Sequence, residues 1–258
     1  MTDFSLPASD RCRTSRVFRL LDGISQSRGA KLTELAERCG LPVTSTHRLL
    51  GELVHLGVVQ RNSDHYQLGS VLFELGLRAS SNSDLLEASR GPLHDLYADT
   101  RQTVHLAVLH GSEILVVDVI TGPISPQLRA GTRLPAHATA AGKCLLALGN
   151  ADANANIILT RVGPRTVSNP RLFAEQIQLA RTAGFATEFE EWRAGIASVA
   201  SPIHRGETVI GAVSVCGPTY SFKPHQLSVR ARAAARSVGQ ALDAILTTPH
   251  HPKSGNDR

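Results

Sequence analysis

The chain has 258 residues, 42% hydrophobic and 19% charged, which is ample to bury one large core or two modest ones. Its net charge of +5 lies wholly in residues 11–61, where nine Lys and Arg oppose four acids, while the remainder holds 18 of each sign; such a footprint suits a phosphate-binding module. No run approaches the roughly 18 apolar residues of a membrane span, and no apolar core follows the early arginines, so the expectation is a soluble, cytoplasmic protein with no membrane partner.

Residues 1–12 lack periodicity and are expected to form a loose tail. Leu32, Leu35, Ala36 and Cys39 then share one face of a short helix, which Gly40 stops where a helix end favours positive φ. A second helix follows at once, with Pro42, Thr44 and Ser45 in its first turn. Two helices joined by a tight glycine turn predict a helix-turn-helix. At about 100° per residue, Leu49, Leu50, Leu53, Val54 and Leu56 fall on one side of the second helix with Thr46 among them. Thr44, Ser45, Arg48, Gly51, Glu52 and His55 fall on the other, a small polar face with a guanidinium one turn from the start, which suits a DNA major groove. An ordinary solvated amphipathic helix would show a similar pattern. The β-prone runs 58–60 and 66–68, separated by polar residues 61–65, predict a hairpin wing from which Arg61 and His65 reach phosphates. The candidate DNA contacts are Thr33, Thr44, Ser45, Thr46, His47, Arg48, Gly51, His55, Arg61 and His65, with Arg48 foremost as the long cation of the outward face.

Val71, Leu72, Leu75 and Leu77 give a helical pattern over 70–79, interrupted by polar 80–83. Asp84 is expected to cap the next helix, and Gly91-Pro92 to break or kink it. Strands are predicted at 102–110, 113–120, 185–189, 198–204 and 208–215, and helices at 138–148, 172–183 and 226–246. The organisation read from these is a tail at 1–12, a winged helix-turn-helix at 13–69, linker helices at 70–98, an effector domain at 99–248 and a second tail at 249–258. The fold class is α+β, with the second domain built on an antiparallel sheet flanked by helices.

The stretch 14–21 (Thr-Ser-Arg-Val-Phe-Arg-Leu-Leu), the run from Gly40-Leu41-Pro42 to Arg48-Leu49-Leu50, and Tyr66-Gln67-Leu68-Gly69 together resemble the IclR family of transcriptional regulators. Downstream, Arg133 to Lys143, Gly184 to Glu188 with Glu190-Glu191, Gly195 to Ile203, and Ala212 to Pro218 are similar to the family's effector-domain motifs. The resemblance covers nearly the whole chain. It implies a GAF-like C-terminal domain that binds a small molecule, often an organic acid, and adjusts DNA binding. It also implies that Ala140, Ala141, Glu188, Ile196, Ser198, Ser214 and Cys216 line the effector site. The residues themselves add Gly142, because 140–142 open a helix with small side chains and N–H groups that favour an anion. Small packing residues in a sheet–helix core would look the same. The family often has Asp where this chain has Glu188, and some members have Cys and Ser exchanged relative to Ser198 and Cys216, which leaves room for a different ligand.

Catalytic signatures are missing. Ala141-Gly142-Lys143 fails as a phosphate loop, because His137 and Cys144 stand where glycine and Ser or Thr are required. No nucleophile elbow, dinucleotide fingerprint or zinc-protease motif occurs, and Glu188, Glu190 and Glu191 read as solvated side chains. His105, His110, His137 and His204 are scattered, and Cys12, Cys39, Cys144 and Cys216 form no C-x-x-C pair, so neither metal nor cofactor is expected. The cysteines should be reduced thiols, two of them buried. The expected protein is therefore a non-enzymatic, ligand-responsive regulator, binding a roughly palindromic double-stranded operator as a homodimer or homotetramer. The competing readings are a metabolic enzyme with a nucleic-acid-binding appendage and a protein–protein adaptor, and the localised positive charge counts against the adaptor.

Overall fold

The computed structural model describes residues 12–27, 29–78, 80–123, 128–149 and 157–247, with the backbone alone at 77, 78 and 80–82. Apart from Cys12, the expected tails lie outside these residues. Contacts divide the chain into two units between Ser80 and Ser81.

The first unit runs α1 (Arg13–Ser25), β1 (Ala30–Lys31), α2 (Leu32–Arg38), α3 (Val43–His55), β2 (Val59–Asn62), β3 (His65–Leu68) and α4 (Ser70–Arg78). The strands form an antiparallel sheet in the order β1-β3-β2, with Ala30 opposite Tyr66 and Val59 opposite Leu68. Both helices of the helix-turn-helix end in the same way. After α2, Gly40 adopts φ 61°, Leu41 N–H donates to Ala36 O and Gly40 N–H to Glu37 O. After α3, Gly57 adopts φ 70°, Val58 N–H donates to Leu53 O and Gly57 N–H to Val54 O. These paired bonds satisfy carbonyls that a helix end leaves without partners and turn the chain sharply enough to bury Leu41 and direct it into the next element. Leu20, Ile24, Leu35, Leu49, Leu50, Leu53, Val59 and Tyr66 make the core.

Three local expectations differ, and one strand was not expected. Pro42 stands at the N-cap with ψ 137° rather than in the first turn. Leu56 is 63% exposed, because α3 ends at His55 and helical periodicity no longer governs where the next side chain points. The wing strands extend to Asn62 and from His65, leaving Ser63-Asp64 as the turn and Arg61 within β2. The two-residue β1 is too short to leave a pattern in the sequence.

The second unit comprises α5 (Ser80–Thr100), β4 (Thr103–His110), β5 (Glu113–Ile120), β6 (Arg133–Pro135), α6 (Ala140–Leu148), α7 (Pro170–Ala183), β7 (Ala186–Phe189), β8 (Ile196–Arg205), β9 (Thr208–Pro218) and α8 (Pro224–Thr247). One antiparallel sheet holds six strands in the order β6-β5-β4-β9-β8-β7. Side chains alternate between its faces. Ala197, Val199, Val213 and Val215 meet α5 and α8, while Ile196, Ala200, Ala212 and Cys216 meet α6 and α7. On β4 the alternation puts Leu106 in the first core and Ala107 in the second, while the partner strand β5 bulges at Val117, between Val116 opposite Ala107 and Asp118 opposite Leu106.

The second unit also departs from expectation. The helix runs through Gly91-Pro92 without a break, and Asp84 lies inside α5 instead of capping it. Glycine before proline has no Cβ to clash with the ring, and the buried Ala88, Leu93 and Leu96 tie both halves to one core. Helix α7 begins two residues earlier than expected, with Asn169 accepting from the N–H groups of Arg171 and Leu172 and Pro170 in the first turn. Three cysteines are buried, Cys39, Cys144 and Cys216, where two were expected.

Candidate functional site

Two sites emerge, one in each unit. On α3, Leu49, Leu50, Leu53 and Thr46 anchor the helix inward, which turns Thr44, His47, Arg48, Gly51 and His55 to solvent and leaves Ser45 half-buried. Arg48 has no hydrogen-bond or ion-pair partner among the described residues, whereas Glu52 pairs with Arg13. Thr33 is exposed in the first turn of α2. Thr46 does not belong with these groups. It is fully buried, and its hydroxyl donates to Pro42 O at 3.1 Å, so it closes the turn instead of meeting a base.

The wing presents a mixed charge. Arg61 Nε donates to Ser63 O at 3.0 Å and its guanidinium lies 5.7 Å from the centre of the Tyr66 ring, which orients the side chain while using one of its five donors. Asp64 sits 2.9 Å from Lys31 Nζ and 2.6 Å from His65 Nδ1. Its carboxylate is held below the usual range by the hydrogen bond from Lys31. Asp64 thus engages the His65 ring within the wing, and Arg61 is the better placed cation.

In the second unit, a small cavity of about 10 Å³ lies at the N-terminus of α6. Thr139 caps the helix by accepting from Gly142 N–H at 3.1 Å. The lining includes Ala140 and Ala141 from α6, Glu188 from β7, Ile196 and Ser198 from β8, and Ser214 and Cys216 from β9, so strands distant in sequence bring seven of the eight expected residues together. Gly142 is the exception. A Cβ there would lie 2.1 Å from Ala136 O, and its N–H is already taken by Thr139, so Gly142 permits close backbone packing and does not face the cavity.

His105, Leu128, Leu134, Thr139 and Trp192 also line the cavity and were missed as ligand contacts. His105 was readable only as an inward position of an alternating strand, and Thr139 only as a capping residue. The free interior admits about one water molecule, so a ring-sized ligand has to displace lining side chains.

Of the three carboxylates read as solvated, Glu188 and Glu191 are buried, while Glu190 is partly exposed and pairs with Arg165. Glu188 is 2% exposed, with Oε1 accepting from Ser198 Oγ at 2.9 Å and Oε2 from Glu191 N–H at 3.1 Å. Burial raises it to about 7 against the opposing pull of these hydrogen bonds. Glu191 is also buried, 2.7 Å from Lys143 Nζ, and Gln176 bonds to both partners. Burial lowers the Lys143 ammonium and the Glu191 carboxylate raises it again. His105 is lowered to about 4 by burial, which keeps it neutral, and its Nδ1 has no partner. Ser214 Oγ donates to Val199 O at 3.1 Å and so offers a ligand its lone pairs. His110 and His137 are engaged with Arg133 and Thr160 O. No group of three His, Cys, Asp or Glu converges as metal ligands among the described residues.

Comparison with known proteins gives a consistent result. Residues 14–63 match the IclR helix-turn-helix domain, and residues 77–244 match the bacterial transcriptional regulator IclR C-terminal domain. The chain is 32% identical over 244 residues to the HTH-type transcriptional regulator XynR of Escherichia coli (strain K12), covering 91% of this chain and 96% of that protein. It is 31% identical to the glycerol operon regulatory protein of Streptomyces coelicolor, covering 90% and 95%. An IclR homolog from Microbacterium hydrocarbonoxydans, solved in complex with 4-hydroxybenzoate, superposes with a TM-score of 0.82 at 28% identity over 90% of this chain and 99% of that one.

Proposed function

Because the chain belongs to the IclR family of bacterial transcriptional regulators, we propose that it binds an operator through α3 and the wing and releases or tightens that grip when a small organic acid occupies the cavity beside α6. The observation that carries this reading is the outward face of α3, where Arg48 stands exposed with no hydrogen-bond or ion-pair partner among the described residues. A guanidinium there can take guanine O6 and N7 or a phosphate, while Gly51 and Thr44 allow close approach. Ser45, His47, His55, Thr33, Arg61 and His65 supply positioning contacts.

In the cavity, Ala140, Ala141, Glu188, Ile196, Ser198, Ser214 and Cys216 form the effector site, with His105, Thr139 and Trp192 added from the geometry. A 4-hydroxybenzoate complex in a structural relative supports an aromatic acid as one candidate. The effector shifts DNA affinity by its differential affinity for two states, typically about 1–3 kcal/mol of coupling. We assign DNA binding to residues 13–69, connection to 70–98 and sensing to 99–248. The operator is roughly palindromic and the protein a homodimer or homotetramer, supported by Phe73 and Leu75, which are 69% and 55% exposed on α4. No helix among the described residues is long and apolar enough to cross a membrane, which supports a cytoplasmic location beside the DNA.

Fluorescence anisotropy of a labelled promoter fragment across a salt series tests the DNA half. The expected result is a steep loss of affinity as salt rises, the mark of phosphate contacts. Affinity indifferent to both salt and sequence would reject operator binding. Repeating the titration with 4-hydroxybenzoate, benzoate and pyruvate tests the sensing half.

A further inference from the structure

The cavity has an imbalance of charge. Among the described residues its lining holds one carboxylate, Glu188, and no lysine or arginine. Lys143 on α6 lies outside the lining, 2.7 Å from Glu191 Oε1 in the turn after β7 and 3.3 Å from Gln176 Oε1 on α7, and its charge draws Glu188 downward less than burial raises it. The other titratable groups facing Glu188 are neutral, since burial keeps the His105 imidazole on β4 deprotonated and the Cys216 thiol on β9 protonated. Ser198 Oγ and Glu191 N–H satisfy the carboxylate oxygens without cancelling their charge. The same lining includes Ala140 and Ala141, whose N–H groups the first turn of α6 leaves without intrahelical acceptors. The lining also includes His105, whose buried Nδ1 has no hydrogen-bond partner among the described residues. An anion in this cavity of about 10 Å³ would share it with the helix-start N–H groups and with that carboxylate.

We propose, building on the reading of this cavity as the effector site, that an organic carboxylate enters it only together with a proton, lying against Ala140 and Ala141 while Glu188 is held as the neutral acid. The proton comes from solvent and passes to a Glu188 carboxylate oxygen. Glu188 then has an O–H to donate, so two repelling anions become one charge-assisted hydrogen bond. The free protein already sits near the point where this group titrates, about 7. Below that pH the competent form dominates and the ligand binds at full strength. Above it, each binding event must first restore a proton, so the apparent affinity falls toward about tenfold per pH unit. The regulator's response to organic acids is thereby strongest in acidic conditions and fades as pH rises through neutrality.

The test titrates the full-length protein with 4-hydroxybenzoate, benzoate and pyruvate at pH 6, 7 and 8, by calorimetry and by fluorescence of Trp192, the single tryptophan of the chain, which lines the cavity. The expected result is about tenfold weaker binding at pH 8 than at pH 6, and a binding enthalpy at pH 8 that tracks buffer ionisation heat with nearly one proton taken up. Glu188→Gln, a neutral isostere, should bind the same ligands with no such trend. Affinity independent of pH with no proton uptake overturns the proposal, as does the absence of binding by all three acids at millimolar concentration. Ala140→Phe, which fills the cavity, separates this from failure of the site itself: unchanged binding in that variant, or binding to the parent that leaves Trp192 fluorescence untouched, rejects the effector-site reading.

Discussion

Arg48 and Thr46 are neighbours on one helix with opposite fates, and a pair of substitutions separates them. Arg48→Ala should weaken operator binding by about 1–3 kcal/mol and relax preference at one base position, measured by anisotropy on single-base operator variants. Thr46→Val removes a buried hydroxyl that closes the helix start. It should cost about 1 kcal/mol of thermal or denaturant stability and leave base preference unchanged. Glu188 allows a similar separation by pH. Its folded value is raised from 4.5 to about 7, so the native state holds a proton that the unfolded chain has lost, and the group lowers stability progressively from about pH 4.5 to pH 7. His105, lowered from 6.5 to about 4, does the reverse and costs stability as pH falls from 6.5. Over the shared window the two slopes cancel. Glu188→Gln should expose the His105 slope, and its stability relative to the parent should climb by about 3 kcal/mol between pH 4.5 and pH 7, followed by urea denaturation. A parallel pair of pH profiles would show that burial does not raise Glu188 in the folded state.

Among the elements, α6 is the most constrained, because its first turn must both approach the backbone at Ala136 and leave N–H groups toward the cavity. Gly142→Ala places a methyl against a carbonyl oxygen with backbone on both sides, so nothing can yield cheaply. The expected outcome is a loss of about 3 kcal/mol or more, with the helical circular dichroism of the C-terminal unit melting earlier. Gly40→Ala is the contrast. Its φ of 61° disfavours a side chain, but no atom lies within 4 Å of the new Cβ, so the cost should be about 1 kcal/mol. The continuity of α5 through Pro92 follows the same logic of context over propensity. A proline inside a helix pattern reads as a stop, yet the preceding glycine and the shared core at Leu93 and Leu96 keep one helix.

For the whole molecule, the prediction concerns assembly. The native mass by light scattering at micromolar concentration should be two or four times 27.6 kDa, and Phe73→Asp with Leu75→Asp should reduce both that mass and operator affinity, since a single winged helix presents a small interface. A monomer in the parent would reject it. At this scale the division between sequence and tertiary structure is clear. Sequence alone determined the element types, the helix-turn-helix with its glycine turn, the basic first segment and the family, because periodicity, capping residues and charge are local properties that survive without a fold. It also named Ala140, Glu188, Ser198, Ser214 and Cys216, through motifs that the family shares. Only the tertiary structure decided that Gly142 packs against Ala136, that His105 and Trp192 join the cavity, and that Glu188 and Glu191 are buried. Those outcomes depend on the register between β4, β9, β8 and β7 and on what α6 and α7 cover. A carboxylate's protonation follows from how much water that packing leaves beside it, a quantity carried by no stretch of the chain taken alone.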